Sequence, residues 1–460
     1  MNFKGKKVLV LGMAKSGMAA AKKLKSLGEE VYIIDIAKNS SLHSRALELN
    51  KEGILAHIGS QSLSYAEGKE LIIISPGVPG DIPLIKRAKE MGIPVWSEIE
   101  LAYQLAGSNP FIVGITGTNG KTTTTTLIGE MYKKSFPTII AGNIGNPLVE
   151  NLEAISSDTK FVVELSSFQL ENIVEFRPRI SVLLNITDDH LDRYIDIADY
   201  TQAKARLFEN QSKDDYAILN FDDPLVWKLA SSVNAKIIPF SKIKELNEGI
   251  FVKSGKVYFR YGGASEEVFL VDELRIKGEH NLDNAMASAA AALVGGVPIS
   301  FVRNVLLNFK GLKHRVEYVG TVDGVEFYND SKATNPDAVI KALTAFSSPV
   351  ILLVGGRNKK NSFQGVAKAS KGKVRALIVF GEAASEIKLA FCGLNITIEE
   401  TESLIEATKR AAGISKNGDV VLLSPACASF DMFSDYKERG EVFRKAVLSL
   451  REDFYGLQKS

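Results

Sequence analysis

An α/β fold made of three successive parallel-sheet units is what this sequence predicts. Apolar, β-branched runs alternate with amphipathic helical stretches along the chain, and most of these runs end in Gly or Ser-Pro. The length of 460 residues corresponds to about three domains at ~150 residues each. Strands buried on both faces read as continuous apolar runs, and ligands gather at their carboxyl ends. The expected domains are 1–97, 98–298 and 299–460.

The first unit opens with a strand at 8–11, a helix at 16–27 and a second strand at 31–34 that ends on Asp35. The turn between them, Gly12-Met13-Ala14-Lys15-Ser16-Gly17, follows G-x-G-x-x-G with alanine in the middle position, where glycine lets a pyrophosphate approach the backbone. Asp35 stands 18 residues beyond Gly17, near where an acid would hold a ribose hydroxyl. A strand at 71–74 runs into Ser75-Pro76-Gly77. The unit is Rossmann-like, but shaped for something other than the usual dinucleotide pose. Residues 92–110 read as the connection to the second unit.

That unit begins with the most informative stretch of the chain. A strand at 111–115 stops at Gly117-Thr118-Asn119-Gly120, and Lys121, Thr122 and Thr123 open a helix. Bare backbone amides and a helix N-terminus favour an anion, a lysine adds a point charge beside the β/γ-phosphates, and a hydroxyl can sit on Mg²⁺. The strict pattern G-x-x-x-x-G-K-[ST] fails only at its first position, which falls on Ile115. Nucleoside triphosphate binding is expected, in a central P-loop ATPase-like parallel-sheet domain. Strands at 161–164, 180–185 and 216–220 follow, and the small-residue helix 280–293 closes the unit. Gly295-Gly296-Val297-Pro298 marks the next boundary.

Polar residues cluster where these strands end. Thr122, Glu164 and His190 can supply oxygen and nitrogen ligands to one Mg²⁺ from three neighbouring strand ends; an acid-rich helix N-terminus is the other reading of His190. Lys204 lies on an amphipathic stretch, where a solvated face is the ordinary explanation. Asn281 and Asn284, at i and i+3, share a helix face and would suit either adenine or helix capping. The third unit, a C-terminal Rossmann-like α/β domain, has strands at 350–354, 375–380 and 420–423. His314-Arg315 and residues 329–335 are dense polar clusters, and Arg357, Lys359 and Lys360 follow a Gly-Gly strand end suited to phosphate or carboxylate, or else form a surface charge run. Residues 424–431 are mostly small, so backbone approaches a ligand there.

Composition narrows the class. Hydrophobic content of 45% and charged content of 24% are ordinary for a soluble enzyme, and 56 basic against 54 acidic residues leave a net charge of +2, with no electrostatic case for nucleic acid or membrane binding. The two cysteines, Cys392 and Cys427, form no C-x-x-C pair, which fits a reducing cytoplasm. The basic-then-apolar N-terminus is interrupted by Lys15, and no run approaches the ~18 apolar residues of a membrane span. A monomer without stable membrane association is expected.

Taken together, Gly117 to Thr122, Glu164-Leu-Ser-Ser, Asp189-His-Leu-Asp192, His280-Asn-x-x-Asn284-Ala, His314-Arg315 and Asn329-Asp-Ser-Lys-Ala-Thr-Asn335 resemble the Mur ligases, ATP-dependent amide-forming enzymes of bacterial peptidoglycan precursor synthesis. Residues 166–170, 190–194 and 424–431 are similar to the branch that adds D-glutamate to UDP-N-acetylmuramoyl-L-alanine. The resemblance implies ATP and Mg²⁺, with Gly117, Thr118, Asn119, Gly120, Lys121, Thr122 and Thr123 on the phosphates. It also implies that Glu164 and His190 bind metal and that Lys204 becomes carbamylated. Asn281 and Asn284 would face adenine, while Arg315, Asp330 and Lys332 contact ATP or help close the third domain over it. Ser16, Asp35 and Ile36 would hold the uridine diphosphate, and Asn143 and Ser166 the rest of that substrate. Thr334, Lys359, Ser429, Phe430 and Tyr436 would surround D-glutamate. Lys121, His190, Lys204, Arg315 and Lys332 would be the catalytic set. The sequence departs from the family at Ala14-Lys15, at Arg357-Asn358, where a more acidic stretch is usual, and at Tyr436, where phenylalanine is common. A nicotinamide dehydrogenase would explain Gly12 to Asp35 but not the second phosphate loop. Folylpolyglutamate synthetase shares the ATP apparatus but lacks a uridine-type first unit, and nucleotide hydrolysis without synthesis, as in a motor or regulatory switch, is the remaining rival.

Overall fold

The computed structural model describes residues 5–457 apart from 108, 155, 157, 188–192, 277 and 359–360. It holds three sheets in two compact units, residues 1–274 with 280–307 and residues 275–279 with 308–460.

The first sheet comprises β1 (Lys7–Leu11), β2 (Glu30–Asp35), β3 (Leu55–Ile58), β4 (Leu71–Ile74) and β5 (Val95–Ser97). All are parallel, in the order β3-β2-β1-β4-β5. The order reverses at β1, so the turn after β1 opens at a topological switch point. Val8, Val10, Ile33 and Ile73 face one buried layer and Leu9, Leu11, Ile34 and Ile72 the other, as strands covered on both faces require.

The second sheet contains β6 (Phe111–Thr116), β7 (Thr138–Gly142), β8 (Lys160–Glu164), β9 (Ile180–Leu183), β10 (Tyr216–Asn220), β11 (Lys236–Ser241), β12 (Gly249–Lys253), β13 (Lys256–Tyr261) and β14 (Ala264–Leu270). Its order is β14-β13-β12-β11-β10-β9-β6-β8-β7, with β13 antiparallel to both β12 and β14 and the remaining pairs parallel. β6 is central, between β8 and β9, so the loop after it is walled by two neighbouring strand ends. The helix Glu279–Val294 buries Ala285, Ala287 and Ala289 to Ala292 and belongs to this unit from residue 280, as does the following helix Ile299–Asn308 up to residue 307.

The second unit is built on β15 (Glu317–Val322), β16 (Val325–Asn329), β17 (Val350–Gly355), β18 (Val374–Phe380), β19 (Thr397–Glu400) and β20 (Val420–Ala426), in the order β15-β16-β20-β17-β18-β19. Only the β15–β16 pair is antiparallel. The carboxyl ends of β16, β20 and β17 therefore share one edge.

Three expectations need correction. The stretch 92–110 is not a bare connection: it carries β5 and the helix Glu98–Leu105. The strand expected at 180–185 stops at Leu183, because Asn185 turns its side chain to the neighbouring loop. The antiparallel extension β12 to β14 has no counterpart in the expected alternation.

Candidate active site

In the first unit, a cavity of about 640 Å³ opens at the carboxyl ends of β1, β2 and β4, and Ser16, Asp35 and Ile36 all line it. Gly17 is obligatory here: a Cβ would lie 1.9 Å from the Gly12 carbonyl, so only glycine lets helix and strand pack this closely. Asp35 stiffens the turn, its carboxylate accepting from the Met13 and Ala37 N–H groups, each at 2.9 Å. Lys15, one of the departures in this turn, reaches across to the second sheet. Its Nζ donates to the Gly145 carbonyl at 2.6 Å and to Asn146 Oδ1 at 2.9 Å.

The loop after β6 is held from three sides. Thr118 N–H donates to the Asn185 carbonyl at 2.9 Å, and Asn119 N–H to Asn185 Oδ1 at 2.8 Å. Gly120 caps the helix Lys121–Tyr132 with φ of +86°, and a Cβ there would meet Asn284 Oδ1 at 2.1 Å. Lys121 folds its ammonium back over the loop, donating to the Gly117 and Thr118 carbonyls at 2.9 Å. Thr122 and Thr123 follow in the first helical turn, half-buried. Lys204 is not on a solvated face: it is 1% exposed, and its Nζ donates to the Gly117 carbonyl at 2.9 Å. Asn281 and Asn284 do share a face, joined by a 3.2 Å amide–amide bond, and Asn284 Oδ1 accepts from Thr124 at 3.3 Å. Asn284 thereby ties the small-residue helix to the loop helix.

Glu164 ends β8 directly beside Ile115 of β6. Its Oε1 accepts from Asn143 Nδ2 at 2.8 Å, while Oε2 is buried with no hydrogen-bond partner among the described residues. A buried carboxylate oxygen left unmatched is costly unless a cation or donor completes it, so the residues present fit a hard divalent ion at this strand end. Among the described residues no group of three His, Cys, Asp or Glu side chains gathers to hold a metal. His190 and its acidic neighbours lie outside those residues. Ser166 spends its side chain locally, capping the helix Ser167–Leu170 in a reciprocal pair with Gln169.

In the second unit the carboxyl edge of β16, β20 and β17 gathers a second cluster. Asp330 accepts from Ser424 Oγ at 2.8 Å and from Val316 N–H at 3.2 Å. Burial lifts its carboxyl to about 7. Lys332 Nζ lies 5.4 Å over the Tyr436 ring, which meets His314 edge-on at 6.1 Å. Arg315 lies close enough for its charge to act on the Asp330 carboxyl. Thr334 follows in the same turn, its N–H donating to the Lys332 carbonyl. Beyond β20, Ser429 is buried while Phe430 is 60% exposed. Arg357 is committed to a fork with Glu382, at 2.8 Å on both oxygens. Lys359 and Lys360 lie outside the described residues.

Family models match three consecutive stretches: the Mur ligase MurD-like N-terminal domain over 6–97, the Mur ligase middle domain over 115–292 and the Mur ligase glutamate ligase domain over 314–427. The chain is 44% identical over 457 residues to the UDP-N-acetylmuramoylalanine–D-glutamate ligase of Thermoanaerobacter sp. (strain X514), covering 98% of this chain and 100% of that one. It is 41% identical over 456 residues, with the same coverage, to the enzyme of that name from Clostridioides difficile (strain 630).

The chain belongs to the Mur ligase family.

Solved structures share its fold. The UDP-N-acetylmuramate–alanine ligase of Thermotoga maritima superposes with a TM-score of 0.58 at 22% identity, over 96% of this chain and 99% of that one. A pseudomurein peptide ligase type C from Methanothermus fervidus gives 0.57 at 20% identity, over 97% and 100%. No helix among the described residues of this Mur ligase is long and apolar enough to cross a membrane.

Two arginines that the sequence reading passed over are prominent in this Mur ligase. Arg439 is fully buried, and its guanidinium donates to Ser331 Oγ, to the Ser331 carbonyl and to the Cys427 carbonyl at 2.8–3.1 Å, pinning the turns after β16 and β20. Arg193 joins the first two sheets. Nothing in local sequence marks Arg439, which reads as one more charge on a long helix; Arg193 sits inside a motif but with no role assigned to it.

Proposed function

We propose that this chain is the ATP-dependent ligase that joins D-glutamate to UDP-N-acetylmuramoyl-L-alanine, in cytoplasmic synthesis of peptidoglycan precursors. One observation carries the reading: a glycine turn opening a helix beside a buried Glu164 oxygen that has no hydrogen-bond partner among the described residues, in a chain that aligns over 98% of its length with ligases of that name. The domain limits 1–97, 98–298 and 299–460 are proposed for the UDP-substrate, ATP and amino-acid portions, although residues 299–307 cluster with the first compact unit.

A carboxylate cannot condense with an amine in water, because oxide would have to leave. In the proposed reaction the alanyl carboxylate oxygen attacks the γ-phosphorus of ATP, the bond to the β–γ bridging oxygen breaks, and ADP departs. The amine of D-glutamate adds to the acyl carbon of the resulting acyl phosphate. The tetrahedral adduct expels phosphate and the nitrogen loses a proton.

The protein's share is positioning and charge. The Gly120 turn and the N-terminus of the helix Lys121–Tyr132 cradle the phosphates, and Lys121, anchored on the Gly117 and Thr118 carbonyls, sets a positive charge at the mouth of the loop. Asn281, steadied by Asn284, faces adenine. Thr122, Glu164, His190 and a carbamylated Lys204 would hold Mg²⁺, which when bound neutralises phosphate charge. Ser16, Asp35 and Ile36 take the uridine diphosphate, with Asn143 and Ser166 toward the sugar. Arg315, Asp330 and Lys332 serve ATP, while Thr334, Lys359, Ser429, Phe430 and Tyr436 surround D-glutamate.

Phosphate release from ATP tests the reading. It should require UDP-N-acetylmuramoyl-L-alanine together with D-glutamate. Equal rates with L-glutamate or a diamino acid would overturn the substrate assignment.

A further inference from the structure

Arg193 is engaged on both sides of its guanidinium. On one side Nη1 donates to the Pro76 carbonyl at 3.0 Å and Nη2 to the Val78 carbonyl at 3.4 Å. Those carbonyls flank Gly77, on the rim of the 640 Å³ cavity. On the other side Nε and Nη2 fork onto the Glu171 carboxylate at 3.2 and 2.6 Å, and the guanidinium lies 4.1 Å over the Phe168 ring.

Glu171 is itself fixed by Tyr194, whose hydroxyl donates to it at 2.6 Å. Tyr194 packs against Tyr200 at 5.2 Å, and the Tyr200 hydroxyl lies 3.4 Å from Thr118 Oγ1 in the phosphate loop. A continuous set of contacts therefore runs from the cavity rim to the loop. The Arg193–Glu171 pair is largely withdrawn from water, with side chains 17% and 21% exposed. An ion pair so desolvated holds well only with bidentate geometry, which lysine cannot reproduce. General cohesion would not require the remaining donors to aim at the two carbonyls beside Gly77.

We propose that Arg193 is a positioning residue for the nucleotide-diphosphate substrate, fixing the 76–78 rim in register with the phosphate loop. The inference rests on the cavity being the UDP-sugar pocket.

The test uses the full-length enzyme with Arg193→Lys and Glu171→Gln, singly and together. Arg193→Lys should raise the KM for UDP-N-acetylmuramoyl-L-alanine about tenfold, leave the KM values for ATP and D-glutamate within twofold, and keep the melting temperature near wild type. Glu171→Gln should produce a similar rise, and the double variant no more than the larger single effect, because the two act as one unit. Calorimetric titration with UDP should weaken in parallel. Unchanged KM values in both single variants, or a uniform rise in all three KM values with a falling melting temperature, would overturn the proposal. A wild-type enzyme that binds no UDP would overturn the pocket assignment and this inference with it.

Discussion

The ammonium of Lys204 donates to the carbonyl of Gly117 at 2.9 Å, from a side chain that is 1% exposed. A buried lysine bonded to the loop after β6 has a chemical role open to it that a solvated lysine lacks. Its neutral amine can add to dissolved CO₂, forming an N–C bond and losing a proton, and the resulting carbamate is an anion suited to a cation rather than opposed to it. Lys204→Ala is expected to lower turnover by about 10²–10³, with circular dichroism unchanged, and added acetate should restore part of the rate. Undiminished activity in this variant would remove Lys204 from the mechanism.

Gly120 is set by space as well as by its backbone. With φ of +86° and Asn284 Oδ1 2.1 Å from a Cβ, Gly120→Ala must strain the loop and displace Asn284. A left-handed residue with a side chain costs roughly 1–2 kcal/mol, and the displaced amide adds to that. The variant should melt lower, and its KM for ATP should rise more than its KM for D-glutamate. Equal KM shifts would argue against a link between this glycine and the nucleotide.

Glu98 gives a pH prediction. It is 1% exposed, accepts the Val149 N–H at 2.7 Å through Oε1, and leaves Oε2 without a hydrogen-bond partner among the described residues. Burial pushes its carboxyl from an ordinary 4.5 to about 7. Because the folded value lies above the unfolded one, the fold favours the protonated form. The associated stability is present below about pH 4.5 and is lost as pH rises to about 7, on the order of 3 kcal/mol in all. Glu98→Gln keeps an acceptor for Val149 and removes the titration. Its melting temperature should therefore gain on wild type between pH 5 and pH 8. A difference that stays constant across that range would refute the assignment.

Much of this was legible in sequence because it is local. Residues 71–74 and 216–220 match their strands to the residue, and the turn 117–120 announced its loop, since apolar runs and glycine turns are read along the chain. The antiparallel β12 to β14 also had a local signal that went unread. Lys253 pairs with Lys256 across Ser254-Gly255, and Tyr261 with Ala264 across Gly262-Gly263, with positive φ at all four turn residues, as two-residue hairpins require. What could not be read is non-local. The clamp of Arg193 on Pro76 spans 117 positions and the bond from Arg439 to Ser331 spans 108, so no window of sequence contains either. The burial of Lys204 was hidden for the same reason, because its covering partner lies 87 residues earlier.

The most direct test of ligation through an acyl phosphate follows oxygen. UDP-N-acetylmuramoyl-L-alanine labelled with ¹⁸O in its alanyl carboxylate is turned over with ATP and D-glutamate, and the released phosphate is weighed by mass spectrometry. One labelled oxygen in each phosphate, dependent on D-glutamate and matched by amide product, is the predicted result. Turnover that releases unlabelled phosphate would contradict it.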